Sequence, residues 1–196
     1  MNFLAHAYLS FSQPDILTGN MISDFVKGKK KFDYSSGIQK GIALHRAIDQ
    51  FTDSHYTTKE AKEIFRPAYR LYAGSLIDVI YDHFLANDTN EFSDNSLKGF
   101  ASETYQILDV FTDSFPEKFR MMYPYMKSQN WLYNYRHLRG IERSLGGVVR
   151  RSKYMTESKT AYRLLIENYD KLGQYYRQFF PELKKMSIAF LQDQGN

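Results

Sequence analysis

The chain has no cysteine among its 196 residues. That absence removes disulfides, thiolate metal sites and a cysteine nucleophile together, and it suits a reducing compartment such as the cytoplasm. No apolar run approaches the roughly 20 residues that a membrane-spanning helix requires. The opening stretch, Met1 to Asp15, lacks the basic n-region of a signal peptide. Strand-type alternation is scarce, and no repeat or low-complexity linker divides the chain. Charge of one sign is only mildly in excess: a net +4 with pI near 9.0 permits an acidic partner without requiring nucleic acid. No nucleic-acid motif accompanies that charge, so none is expected as a partner, and no membrane either.

What is present is helical. Apolar residues recur at spacings of three and four, which predicts an all-α, single-domain bundle of many helices. With 16 Tyr and 15 Phe the core is expected to be built from rings, the tyrosine hydroxyls needing partners. A first helix is predicted over 3–11 and a second from Pro14 to Val26, with Gly28 as its stop and a basic loop of Lys27, Lys29, Lys30 and Lys31 after it. Ser35 or Ser36 can cap a third helix through Thr52, and Thr57 with Glu60 reads as a capping box for a fourth, which Pro67 should kink or split. Further helices are expected over 75–86, 97–112, 116–127 and 129–138. Gly146–Gly147 mark a break or a close packing point near the end of the next one. A long helix over 156–179 should precede a short terminal one opened by Pro181, and the last residues should fray.

The chemistry concentrates in the first 83 positions. Residues four apart share a helix face, and Asn20/Asp24, His45/Asp49, Asp49/Asp53 and Asp78/Asp82 all obey that spacing within apolar surroundings. Any single pair of this kind is usually a solvated face. Three polar rows on core-forming helices are costlier, because a buried carboxylate needs a partner or a cation. A shared centre of imidazoles and carboxylates would suit Mn²⁺, Fe²⁺ or Zn²⁺, with Mg²⁺ an option if carboxylates dominate. His45 and His83 stand out among the histidines because each has aspartates at reachable spacing; His55 and His137 read as surface or hydrogen-bonded residues.

The strings NFLAH (from Asn2), GN-x-x-x-DF-x-x-G (from Gly19), H-R-x-ID-x-x-TD (from His45) and D-x-x-x-DHFL (from Asp78) occur in that order. Together they resemble the acyl carrier protein phosphodiesterase family, strongly to about Leu85 and more weakly beyond. The resemblance implies a helical, Mn²⁺-dependent branch of the HD phosphohydrolases, its metal site between helices of the N-terminal half. It also implies removal of 4′-phosphopantetheine from holo acyl carrier protein. It marks Asp24, His45, Asp49, Asp53, Asp78, Asp82 and His83, with Asp82, His83 and His45 ahead as metal ligands and Asp24 and Asp49 beside them. The His-Asp dipeptide usual in the superfamily is absent; Asp82-His83 has the reverse order.

In such a centre Asp24 or Asp78 would orient water or take its proton, and Arg46 or a lysine of Lys27–Lys31 would hold phosphate charge. Arg46 could equally pair with Asp49 or Asp53. Like-charged carboxylates crowding a metal-free site predict that Asp82→Ala leaves the fold intact or more stable. Farther on, Arg136, Arg139, Arg143, Arg150 and Arg151 can form a basic stripe, if their helix is unbroken, that would steer an acidic carrier protein. The rival function is a metal-dependent phosphohydrolase of a small nucleotide, for which a closed pocket with stacking aromatics would speak. A binding module would gain nothing from polar rows in its core, and a diiron bundle would need Glu-x-x-His pairs that are lacking.

Overall fold

Capping and apolar spacing account for most of the architecture. The computed structural model describes residues 1–193, among which there are eleven α-helices and no strand. They are α1 (Phe3–Tyr8), α2 (Pro14–Ile22), α3 (Ser36–Ser54), α4 (Tyr56–Tyr69), α5 (Ala73–Ala86), α6 (Asp94–Val110), α7 (Glu117–Ser128), α8 (Trp131–Asn134), α9 (Leu138–Arg151), α10 (Lys159–Glu167) and α11 (Tyr169–Asp193). Short 3₁₀ turns at Ser23–Phe25, Gly28–Asp33 and Arg70–Tyr72 link the early elements. Pro14 opens α2, where its missing N–H costs nothing, and Ser35 caps α3 by accepting the Ile38 amide.

The closest helix contact is between α2 and α3. A Cβ built on Gly19 would lie 2.0 Å from the Ile38 carbonyl oxygen, and one on Gly41 would lie 2.2 Å from that of Ile16. Neither neighbour is a movable side chain, so only glycine at both positions allows the two backbones to touch. That contact brings the C-terminal end of α2 and the turn after it against the middle of α3. Across the molecule, α11 closes the core with rings: Tyr81 stacks on Phe179 at 5.1 Å and Tyr176 on Phe180 at 5.2 Å. Three buried tyrosine hydroxyls find acceptors, Tyr176 on Asp88, Tyr105 on the Met126 carbonyl and Tyr123 on the Tyr105 carbonyl, whereas that of Tyr81 has no hydrogen-bond partner of adequate geometry. Buried apolar residues from Met1 to Leu183 form one continuous core.

Several boundaries differ from the spacing-based expectation. The Thr57–Glu60 capping box does not form: α4 begins after His55, and the Thr57 hydroxyl is taken by the His55 Nδ1 at 2.7 Å. The long helix expected over 156–179 is divided at Asn168, whose amide and side chain both donate to the Leu164 carbonyl and end α10. Pro181 opens no new helix but sits inside α11. Its lost backbone bond costs about 3 kcal/mol. Burial of Phe179, Phe180 and Leu183 on the same turns, at about 1.5–3 kcal/mol each, outweighs it. The segment 129–138 is helical only over α8, and α9 runs unbroken through Gly146–Gly147. The expected fraying concerns residues 194–196, outside the described residues.

The glycine contact is testable. Gly41→Ala should lower unfolding free energy by about 3 kcal/mol, the upper range for overpacking. Gly99→Ala on α6, where a Cβ meets nothing within 4 Å, should raise it by about 0.4–1 kcal/mol. Urea titration of both variants checks the pair.

Candidate metal centre

Asn20, the last-turn residue of α2, is fully buried and organises the site. Its Nδ2 donates to the His6 carbonyl at 2.8 Å, which fixes the amide orientation because a carbonyl only accepts. The Asn20 Oδ1 then accepts from His6 Nδ1 at 2.8 Å, and its backbone carbonyl accepts from His45 Nδ1 at 2.7 Å. Both imidazoles are thereby held as Nδ1–H donors, with Nε2 on the far side of each ring. The rings stack, centroids 3.9 Å apart and planes 14° from parallel. Asp49, one turn after His45 on α3, bridges them: Oδ1 lies 3.3 Å from His6 Nε2 and Oδ2 lies 3.2 Å from His45 Nε2. Asp24, on the 3₁₀ turn after α2, places Oδ1 3.2 Å from the same His45 nitrogen. The imidazoles are buried, whereas the Asp24 and Asp49 side chains are 68% and 41% exposed, so the group opens to solvent through its carboxylates.

Two touching imidazoles cannot both carry charge. Burial, reinforced by the neighbouring His45, pushes His6 down to about 4 despite Asp49. Burial alone would also lower His45, but bonds to Asp24 and Asp49 hold it up at about 9. The His45 contact holds Asp24 below the usual carboxylate range; burial opposes the lowering of Asp49, and the two histidines outweigh it. His6 Nε2 is buried with no hydrogen-bond partner of adequate geometry. An unprotonated nitrogen beside a carboxylate is the arrangement a cation resolves. His6, His45 and Asp49 place ligand atoms within 4.8 Å of one another, and Asp24 touches the same His45 nitrogen. Two imidazoles with carbonyl-anchored Nδ1–H groups and adjoining carboxylates fit a first-row divalent ion.

Of the residues singled out from sequence, Asp24, His45 and Asp49 come together. Asp82 and His83 do not join them. Asp82 is fully buried and accepts the backbone amides of Asn2, Leu4 and Ala5, at 3.3, 2.7 and 3.3 Å. Burial raises its carboxyl to about 7 even though the Met1 amino group and these amides pull the other way. It therefore anchors the start of α1, and the carboxylate repulsion expected to dominate here is offset by these amides and the Met1 amino group. His83 donates Nδ1–H to the Tyr135 carbonyl and accepts at Nε2 from the Tyr169 hydroxyl, both at 2.7 Å, which leaves neither nitrogen open. Asp78 accepts from the Met1 amino group at 2.9 Å, 3.5 Å from which lies Asp49. Asp53 pairs with Lys62. Arg46 pairs with neither acid: one position beyond His45 on α3, it turns toward a shallow groove with Lys31, Gln39 and Gln50.

Spacing alone missed His6, which lies on a six-residue helix with no acid at helical spacing, and it marked Asn20 only as the row partner of Asp24, whereas Asn20 acts through its backbone as much as its amide. The string that places Asn2 four residues before His6 was the available signal. Four of the five arginines, Arg139, Arg143, Arg150 and Arg151, line a cleft of about 250 Å³; Arg136 precedes α9 and lies outside it.

Fold and site define an all-helical protein with a two-imidazole, two-carboxylate centre suited to a divalent cation. A family model described as acyl carrier protein phosphodiesterase matches residues 1–183. Relatives bearing that name include one from Klebsiella pneumoniae subsp. pneumoniae, 35% identical over 95% of this chain and 97% of its own. Others come from Enterobacter sp., 35% identical over 93% and 95%, and Salmonella agona, 33% identical over 93% and 95%. The chain belongs to the acyl carrier protein phosphodiesterase family. No solved structure matches it.

Two outcomes follow from the electrostatics. In chelator-treated protein, protonated His45 stabilises the fold fully below its unfolded pKa near 6.5, and that contribution disappears as pH rises through about 9. Melting temperature should fall across that interval, and His45→Gln should flatten the fall. Asp82→Ala should destabilise by about 1–3 kcal/mol for each amide left without a partner, read by urea titration.

Proposed function

We propose that this protein hydrolyses the phosphodiester between 4′-phosphopantetheine and the serine of holo acyl carrier protein in the cytoplasm, releasing apo carrier and free 4′-phosphopantetheine. The observation that carries the catalytic reading is the Asn20-anchored pair of stacked imidazoles facing Asp49 and Asp24. Family membership supplies the substrate class.

His6, His45, Asp49 and Asp24 would hold a divalent ion, Mn²⁺ ahead of Mg²⁺, Fe²⁺ or Zn²⁺. Such an ion, when bound, lowers the pKa of water and offsets charge on phosphoryl oxygens. The chain's own residues do the rest. Asn20 keeps both Nδ1 atoms protonated and both rings in register. Asp24, the most exposed member, is placed to accept a proton at its carboxylate from water arriving from solvent. Asp78 and Asp82 hold the Met1–Ala5 segment, and with it His6, in position.

The carrier itself needs a docking surface. The loop Lys27–Lys31 begins three residues after Asp24, and Lys27, Lys29 and Lys30 are exposed. These lysines, with the overall positive charge, would draw an acidic carrier to the open side of the centre. The Met1–Leu9 segment packs in the core and no described helix is long and apolar enough to cross a membrane.

Mass analysis of holo carrier incubated with the protein and Mn²⁺ should show loss of the phosphopantetheine group, abolished by chelator and restored by Mn²⁺. His6→Ala should reduce turnover by more than about a hundredfold, as expected for loss of a metal ligand, and should also remove the rise in melting temperature on adding Mn²⁺. Full turnover in excess chelator would refute the metal-dependent reading. Charge reversal at Lys29 and Lys30 should slow capture of the carrier most at low salt, followed by stopped-flow association.

A further inference from the structure

The arginine stripe of α9 is not a flat helix face. Arg139 and Arg143 are one turn apart, Gly147 follows one turn later, and Arg150 and Arg151 complete the row. Glycine at 147 leaves the middle of the row without a side chain, so the stripe is concave there. Opposite it stand Trp131 and Phe3, ring centroids 6.3 Å apart. Among the described residues no carboxylate pairs with any of the four guanidinium groups. Four cations facing one cavity without an internal counter-ion call for an anionic ligand.

The chemistry of the cavity limits what that ligand can be. The cleft, of about 250 Å³, sets its arginines beside aromatic rings and amides, which suits a small anion that carries an extended polar chain. Its lining is mixed to match: guanidinium groups, the rings of Phe3, Trp131, Tyr135 and His137, and the side-chain amides of Asn2, Gln129 and Asn134.

Position ties the cleft to the centre. Asn2 and Phe3 form part of its wall, while the amino group of the residue before them sits between Asp49 and Asp78. A ligand running from the centre past Asn2 therefore enters the cleft. His83 and Asn87 of α5 clamp this wall to α9's approach by bonds to the Tyr135 and Arg136 carbonyls. These bonds position the cleft, and with the Tyr169 hydroxyl they engage both His83 nitrogens.

We propose that the cleft is the site that receives phosphopantetheine once it is released from the centre, its phosphate monoester held by the arginines and its amide-bearing arm lying against Trp131 and Phe3. This rests on the hydrolytic reading above and reassigns the arginines: they hold the released phosphopantetheine, while the acidic carrier, whose serine oxygen is the leaving group, docks elsewhere.

The test uses full-length protein, free 4′-phosphopantetheine, pantetheine without the phosphate, and apo carrier without the arm. Phosphopantetheine should bind the native protein at least about tenfold tighter than pantetheine does, the scale of a charge-assisted contact. The exposed-residue double variant Arg139→Gln/Arg143→Gln should lose at least about tenfold of that affinity. Ser144→Phe, which fills the cleft but leaves all four arginines, should lose as much. Neither variant should alter capture of apo carrier, and Arg163→Gln, outside the cleft, should change nothing. If the arginine variant weakens apo carrier while phosphopantetheine binds as before, the cleft is a carrier-docking surface and the proposal is wrong. If Ser144→Phe binds phosphopantetheine normally, it is likewise wrong. Hydrolysis of holo carrier by native protein is scored separately: its absence overturns the hydrolytic reading, whereas normal hydrolysis with unchanged binding by the variants overturns the cleft assignment alone.

Discussion

The contact of Gly19 with Gly41 is the constraint from which the site follows. Helices normally pack 8–10 Å apart, held off by their side chains. Here each backbone meets the other's carbonyl, and the residue after Gly19 is carried into the interior. That residue is Asn20, and its depth lets one amide and one carbonyl reach rings on two other helices. A larger side chain at either glycine would separate α2 from α3 and withdraw Asn20 from His45 before it touched any ligand atom.

Four aspartates crowd this end of the molecule, and the fold resolves their repulsion by dividing them. Asp49 and Asp24 face imidazoles; Asp78 and Asp82 face the Met1 amino group and the amides that begin α1. The first pair is open to water and to exchange of a proton for a cation. The second, with Asp82 buried and Asp78 half-buried, serves to fix α1, and through it His6. The two pairs meet at the Met1 amino group, 2.9 Å from Asp78 and 3.5 Å from Asp49, so stability of the anchor and geometry of the centre are coupled. Burial and three nearby carboxylates, Asp78, Asp49 and Asp82, work against each other on that amine; the carboxylates prevail and hold it up at about 10.

The same division explains which polar rows meant chemistry. At equal spacing, His45/Asp49 points at a second imidazole while Asp78/Asp82 points at backbone donors. His83, with the most suggestive neighbour in the sequence, spends both nitrogens on Tyr135 and Tyr169 because α5 faces the core on that side and α9 and α11 cover it. Helical spacing reports which side chains share a face. It carries no information on what the opposite element offers.

Sequence by itself determined the all-helical class, the start of α2 and the cap of α3, because these depend on local backbone chemistry and on period. It also determined the family, through four ordered strings, and three of the centre's members, Asp24, His45 and Asp49. Tertiary structure alone decided that His6 and Asn20 complete the group, that Asp82 and His83 serve the scaffold, and that the arginines enclose a cleft. Each of those outcomes turns on a contact between residues far apart in the chain, such as Asn20 with His45 or Asp82 with Leu4, whose existence depends on how closely helices approach. Local propensity also failed at Pro181 for the same reason: the rings buried around it outweigh the backbone bond it cannot make.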